Sequence, residues 1–250
     1  MKPISIVIPV HPPHFKFLRH IIHNIYDSTD YDVLIEEIII ACSEVDDIDK
    51  FKSTYIEELD CNCNQIVISN IYDKANASTN RNRGWKISNG KYVFFMDADD
   101  VYHLDRFKII YNIFEKYQCD SIIHGYFNNQ SSDMKGDFSN IDNDHIEIVE
   151  SITIFNEVFP TNKPMLKGTN CGTPKVPGHI AQGHACIKKN IYNNIQYNEN
   201  MRVGEDGKIL RDILYNNKNN GVLYIKEELS KINSLYVNSK NLSSILKIHS

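Results

Sequence analysis

Residues 91–100 read Lys91-Tyr92-Val93-Phe94-Phe95-Met96-Asp97-Ala98-Asp99-Asp100, an apolar run that breaks onto three carboxylates. Entered from Asn89-Gly90, the run reads as a short, fully buried strand. Strands buried on both faces belong to parallel sheets covered by helices. Such sheets place ligands outside the carboxyl ends of their strands, which is where Asp97 and Asp99 then fall. The strand period of two would turn both carboxylates to one side. The same D-x-D spacing recurs at Asp30/Asp32, Asp47/Asp49 and Asp142/Asp144, but only Asp97 and Asp99 directly follow a buried strand. Two hard oxygen donors there suit Mg²⁺ or Mn²⁺ shared with a diphosphate, whose growing charge the ion neutralises. The alternative is a solvated acidic turn whose Asp100 caps the next helix.

Outward from this strand, the first half of the chain alternates strand and helix signals. Ile4 to Val10 reads as a strand ending at the turn His11-Pro12-Pro13, and Leu18, Ile21, Ile22 and Ile25 then recur at helical spacing. Glu37 to Cys42 predicts a second strand. Ile48, Phe51, Tyr55 and Leu59 mark a second helix entered through Asp46 and Asp47. Gln65 to Ser69 is a short third strand, and a helix N-capped by Ser78 runs to about Ser88. Beyond the acidic run, Leu104, Phe107, Tyr111 and Phe114 give another helix before a strand at Ser121 to Phe127. This order implies an α/β fold: a doubly wound, mostly parallel central sheet with helices on both faces.

The second half is less regular. Asn128 to Asp144 is polar and Pro160 to Pro177 is proline-rich, so both read as long surface loops or lids. The segment Pro160 to His184 in particular is expected to order over a bound ligand. Apolar signal returns at His179 to Ile187, in a helix carrying Ile209, Leu210, Ile213 and Leu214, and in a strand at Val222 to Ile225. With neither repeat nor linker, residues 1–250 read as a single domain.

Composition narrows the function. Hydrophobic residues at 42% and charged residues at 24% exclude wholesale disorder, collagen-like repeats and coiled coil. A net charge of −5 without a Lys/Arg block disfavours nucleic-acid partners. No apolar stretch approaches the roughly 18 residues of a transmembrane segment. The first residues read as a strand and not as a secretory signal. Six cysteines without a CxxC pair fit reduced thiols in a cytoplasmic setting. Neither GxxxxGK[ST], GxGxxG nor HExxH occurs, so nucleotide-loop and zincin chemistries lose their support. His11, His14, His20 and His23 read as scattered, because Pro12-Pro13 breaks any helical face shared by the first two.

Four stretches together resemble one known family. Ser5-Ile6-Val7-Ile8-Pro9-Val10, Ala77-Ser78-Thr79-Asn80-Arg81-Asn82-Arg83-Gly84, the run from Gly90 to Asp100, and Gly204-Glu205-Asp206 look like the successive motifs of family 2 glycosyltransferases with the GT-A fold. The resemblance spans about 200 residues. It implies an inverting transferase that uses Mn²⁺ or Mg²⁺ and moves a sugar from a nucleotide-sugar, commonly a UDP-sugar, to a hydroxyl of a glycan, protein or small-molecule acceptor. Residues 1–100 would bind the nucleotide-sugar and residues 101–250 the acceptor.

Residue by residue, the resemblance implies that Pro9, Val10 and His11 line the nucleoside pocket. Arg81 would lie near the base and phosphates, its alternative being an exposed helix cation. Asp97, with Ala98 beside it, would face the ribose or metal, and Asp99 would be the principal metal ligand. Asp206 would be the catalytic base with Glu205 in support, against a reading as first-turn acids that favour the helix dipole. Two positions depart from the family pattern. Ile40-Ala41-Cys42-Ser43-Glu44 lacks the acidic pair that contacts the base, leaving Glu44 or Asp46 to substitute. The metal-binding histidine of some members is replaced by Asn233, with His249 further on. The competing classes are a nucleotidyltransferase, which would need a basic triphosphate cradle, and a non-catalytic sugar-nucleotide-binding module.

Overall fold

The computed structural model describes residues 1–56, 66–127, 146–149, 185–201, 204–216 and 221–231. Within them the strands are β1 (Ile4–Val10), β2 (Ile35–Ser43), β3 (Ile66–Ile71), β4 (Tyr92–Phe95), β5 (Val101–Tyr102), β6 (Ser121–Phe127), β7 (Ile146–Val149), β8 (Cys186–Lys188) and β9 (Val222–Lys231). The helices are α1 (Leu18–Tyr26), α2 (Tyr31–Leu34), α3 (Ile48–Tyr55), α4 (Ala77–Ile87), α5 (Arg106–Tyr117) and α6 (Glu205–Asn216).

All the strands join one sheet in the order β3-β2-β1-β4-β8-β6-β9-β5, with β7 also on β9. β1 to β4 pair in parallel. β8 is antiparallel to both β4 and β6, and β9 is parallel to β6, so β6 and β9 run with the front strands. Only the short β5, β7 and β8 oppose them.

The strand period sorts the core into two layers. Ile6, Ile8, Ile38, Ile40, Phe94 and Leu223 face one cluster, which α1, α3 and α5 close with Ile21, Phe51 and Phe107. Their neighbours Val7, Ile39, Phe95 and Val222 face the other, closed by Trp85 of α4 and Ile209, Leu210 and Ile213 of α6. The doubly wound α/β architecture read from the sequence is therefore the one observed.

Helix α4 approaches β1 closely because Gly84 carries no side chain. A Cβ there would lie 2.4 Å from Val7 Cγ1. Val7 is β-branched and fully buried, so it has no free rotamer to retreat into. Gly84→Ala is therefore expected to cost about 1–3 kcal/mol by overpacking, outweighing a helix-propensity gain of up to ~1 kcal/mol. Chemical denaturation measures this. The double variant with Val7→Ala should lose less than the two single losses added together.

Several local expectations are corrected. Asn76, not Ser78, caps α4: its Oδ1 accepts from Thr79 N at 2.9 Å. Ser78 instead lies in the first turn, buried. Asp47 caps α3 as its position suggested, accepting from Lys50 N at 2.9 Å. Leu104 is exposed and precedes α5, whose N-cap position is Asp105. Asp100 is thus no helix cap but a buried residue leading into β5.

Cys42, Cys119 and Cys186 are buried and form no disulfide. Burial pushes their thiols up to about 11, 12 and 12 respectively, which makes them unreactive. No helix among the described residues is long and apolar enough to cross a membrane. Leu59, the loops 128–144 and 160–184, the D-x-D pair Asp142/Asp144, Asn233 and His249 lie outside the described residues.

Candidate active site

A cavity of about 240 Å³ opens at the carboxyl edge of the sheet, between the end of β1, helix α4 and the turn after β4. Its walls bring together Pro9, Val10, His11, Arg81, Asp97, Ala98 and Asp99, seven positions named from the sequence. His14, Ala77 and Asn80 complete it and were not anticipated. The way Asp97 and Asp99 arrive differs from expectation. β4 stops at Phe95, and the chain then turns, with Asp100 N donating to Asp97 O at 3.3 Å. The turn, and not the strand pleat, sets both carboxylates at the cavity.

His14 reaches the wall because the prolines that rule out an α-helix start a 3-10 turn instead. Pro12–Phe17 forms that turn with proline in its first positions, where no donor is required. His14 N donates to His11 O at 2.8 Å, and the two rings stand 4.4 Å apart. The two histidines are therefore a pair. Both are held below the usual imidazole range, by burial first; for His11 the neighbouring His14 adds to the effect.

Arg81 is the electrostatic centre. It is completely buried, so the reading as an exposed helix cation is excluded. Its Nη2 donates to Asp97 Oδ1 at 2.8 Å, and Nη1 stands 3.7 Å from Glu205 Oε1. The guanidinium carbon lies 5.5 Å from the Tyr197 ring centroid, in cation–π range. Burial alone would weaken the charge, but Asp97 and Asp206 reverse this and hold the guanidinium above its ordinary range. It is a permanent cation among carboxylates.

Asp99 behaves differently. Burial, then the charge of Asp97, push its carboxyl up to about 6, with a backbone hydrogen bond and His11 opposing. Asp97 keeps one-fifth of its side chain exposed, and its backbone N–H donates to the Tyr102 hydroxyl at 2.9 Å. β5, a strand of two residues that no local pattern announces, thereby braces the acidic turn.

A wider cleft of about 560 Å³ adjoins the cavity and shares His11 and Ala77 with it. Glu44, Lys74, Ala75, Asn76, Met201 and Glu205 form the rest of its wall. Glu205 and Asp206 occupy the first turn of α6, where the helix dipole favours negative charge, and both are buried. Gly204 before them has φ +80°, a left-handed conformation suited to glycine. Cys42 and Ser43, at the positions of the family's acidic pair, are wholly buried. Glu44 has φ +61° and lines the cleft, so it is the acidic group nearest that role; Asp46, exposed like Glu44, lines neither the cavity nor the cleft.

Among the described residues, no group of three or more His, Cys, Asp or Glu side chains is arranged to hold a metal. Two carboxylates are nevertheless a fitting donor set for Mg²⁺ or Mn²⁺, which commonly bind through one or two carboxylates together with substrate phosphates. Burial first, and then the charge of Asp97, raise the Asp99 carboxyl, and a bound cation would offset both.

The sheet, its two helical layers and the cavity at its carboxyl edge define an α/β fold of the GT-A type. The chain belongs to glycosyl transferase family 2, which matches residues 5–161. Among solved structures, Staphylococcus aureus TarS residues 1–349 in complex with UDP-GlcNAc superimposes with a TM-score of 0.64 at 13% identity, covering 92% of this chain and 58% of that one. Among curated proteins, the minor teichoic acid biosynthesis protein GgaB of Bacillus subtilis (strain 168) is 25% identical over 98% of this chain and 27% of its own length. The poly(ribitol-phosphate) beta-N-acetylglucosaminyltransferase TarP of Staphylococcus aureus (strain N315) is 30% identical over 50% of this chain and 37% of its own. The chain thus spans well under half the length of these two curated relatives.

Proposed function

We propose that the chain is an inverting, metal-dependent glycosyltransferase that moves a sugar from a UDP-sugar to a hydroxyl of a glycan acceptor. The observation that carries this reading is the convergence of Arg81, Asp97 and Asp99 on one cavity, with Glu205 3.7 Å from Arg81 and Asp206 next to it in the first turn of α6. The UDP-sugar is supported by the donor complex of TarS, and an acceptor of the teichoic acid kind by the name of GgaB and by the poly(ribitol-phosphate) in that of TarP. In this division of labour residues 1–100 hold the nucleotide-sugar and residues 101–250 the acceptor. Among the described residues Cys42, Cys119 and Cys186 form no disulfide, in keeping with a reducing, cytoplasmic setting.

In the proposed mechanism, Pro9, Val10 and His11 receive the nucleoside, and Asp99 with Asp97 would hold Mn²⁺ or Mg²⁺. When bound, the ion would neutralise charge on the departing diphosphate. Arg81 fixes Asp97 in place through their 2.8 Å ion pair and offsets part of the negative charge gathered there. Asp206 takes the proton of the acceptor hydroxyl as that oxygen attacks the anomeric carbon. A single displacement of this kind inverts the anomeric configuration.

Calorimetry of UDP with and without Mn²⁺ tests the reading. Binding is expected to weaken when the ion is chelated, and Asp99→Ala should remove the metal-dependent part. Equal affinity in excess EDTA would overturn it. UDP should also stabilise the protein more than GDP or CDP in a thermal-shift series, and stronger stabilisation by GDP would reassign the base.

A further inference from the structure

Helix α4 presents two stripes of side chains. Ala77, Asn80, Arg81 and Gly84, at helical spacing, face the cavity and β1. A second stripe, Asn76, Thr79 and Asn82, faces the segment that leads to α6. Asn82 is buried and grips Tyr197 as a strand neighbour would. Its Nδ2 donates to Tyr197 O and its Oδ1 accepts from Tyr197 N, both at 2.9 Å. The same Nδ2 donates to Glu199 Oε1 at 2.9 Å. Glu199 Oε2 accepts from Thr79 Oγ1 at 3.1 Å, and Glu199 O accepts from Asn76 Nδ2 at 2.6 Å.

The clip holds more than a loop. Tyr197, pinned by its own backbone, packs edge-on against Phe95 at 5.2 Å and lies beneath the Arg81 guanidinium. Beyond Glu199 the chain passes Met201, part of the wider cleft, and starts α6 at Glu205 and Asp206. Asn82 thus ties α4, which carries Arg81, to Glu199, 117 residues on in sequence and on the segment that precedes α6 and its carboxylates. Asn82 and Glu199 line neither the cavity nor the wider cleft, whereas Asn76 also belongs to the wall of the cleft.

We propose that Asn82 and Glu199 are positioning residues that set where Asp206 stands relative to Arg81, and so act on the rate of transfer and not on donor affinity. This rests on the glycosyltransferase reading above. A displacement of about 1 Å in a reacting group can cost about 10²-fold in rate, so a clip that fixes the base is felt in kcat.

The experiment compares transfer kinetics and UDP affinity in Asn82→Ala, Glu199→Ala and Glu199→Gln. Asn82→Ala should lower kcat by about 10–100-fold, with UDP affinity held within about threefold. Glu199 is exposed, so Glu199→Ala keeps the fold and should give a smaller loss of the same kind. Glu199→Gln should recover most of the rate, because its amide oxygen can still accept from Asn82 and its NH₂ can donate to Thr79 Oγ1. If Asn82→Ala fails to fold, the two Glu199 variants decide. A kcat within about twofold of wild type in folded variants, or a UDP affinity that falls in step with kcat, would overturn the proposal. Asp206→Asn run in parallel separates this outcome from failure of the reading beneath it. Transfer that survives Asp206→Asn undoes that reading, whereas transfer lost there but unaffected by the clip variants undoes only the positioning role.

Discussion

Asp206→Asn is expected to retain UDP and metal binding while losing transfer by ~10²–10⁴-fold, the usual contribution of a positioned base. An acceptor hydroxyl is a poor nucleophile at neutral pH, and an amide in place of the carboxylate cannot take its proton. The substitution preserves volume, so the first turn of α6 should stay folded. Initial rates with a UDP-sugar and acceptor, set beside calorimetry of UDP, give the measurement. Glu205 is the informative control, because it lines the wider cleft and stands 3.7 Å from Arg81. Glu205→Gln should weaken transfer less than Asp206→Asn. The reverse ranking would move the base to Glu205, and indifference in both would remove this acidic pair from the mechanism.

Arg81→Met is expected to destabilise the protein by about 3–5 kcal/mol, the cost of breaking a buried ion pair from one side. The cation has no solvent exposure, and its removal leaves Asp97 and Glu205 facing each other across an apolar side chain. For a chain of this size that corresponds to a fall in Tm of roughly 6–20 °C. A second substitution, Asp97→Asn in the Arg81→Met background, should recover part of the loss, because it removes the carboxylate that lost its partner. A decrease below about 1 kcal/mol, with no recovery in the double variant, would show that the pair carries no net weight.

The two faces of the sheet were legible because burial on both sides of β1, β2 and β4 leaves uninterrupted apolar runs, and the helices between them repeat at 3.6 residues. The shortest strands were not legible. β5 and β8 have two and three residues and exist only through their pairing with β9, β4 and β6, which no local window contains. The cap of α4 was misplaced because Asn76-Ala77-Ser78 offers two capping residues, and only the partner of Thr79 N distinguishes them. His11 and His14 looked separate because proline rules out an α-helix, yet the same prolines start the 3-10 turn that joins them.

The site residues themselves were read by resemblance, with Asp97 and Asp99 also marked by their place after a strand. Asn82 lies within the stretch that carries the resemblance but received no role from it, and Tyr197 and Glu199 carried no mark at all. They are polar or aromatic residues without period, brought together across more than a hundred positions, and only the folded chain shows that each supplies the other's hydrogen bonds.

Helix α4 has 11 residues, and its constraints come from several directions at once. Gly84 has no room beside Val7, Arg81 is committed to Asp97, Asn80 Nδ2 donates to Val10 O at 3.2 Å, Asn82 holds Tyr197, and Trp85 fills the core beneath Phe95. In a library of random substitutions this helix should therefore be the least permissive segment of the described chain. Its polar character, which would ordinarily suggest a freely variable surface, misleads here. Sequence drift or redesign toward a new donor has more freedom at the rim, at Glu44 and Lys74, than on the helix that carries the arginine.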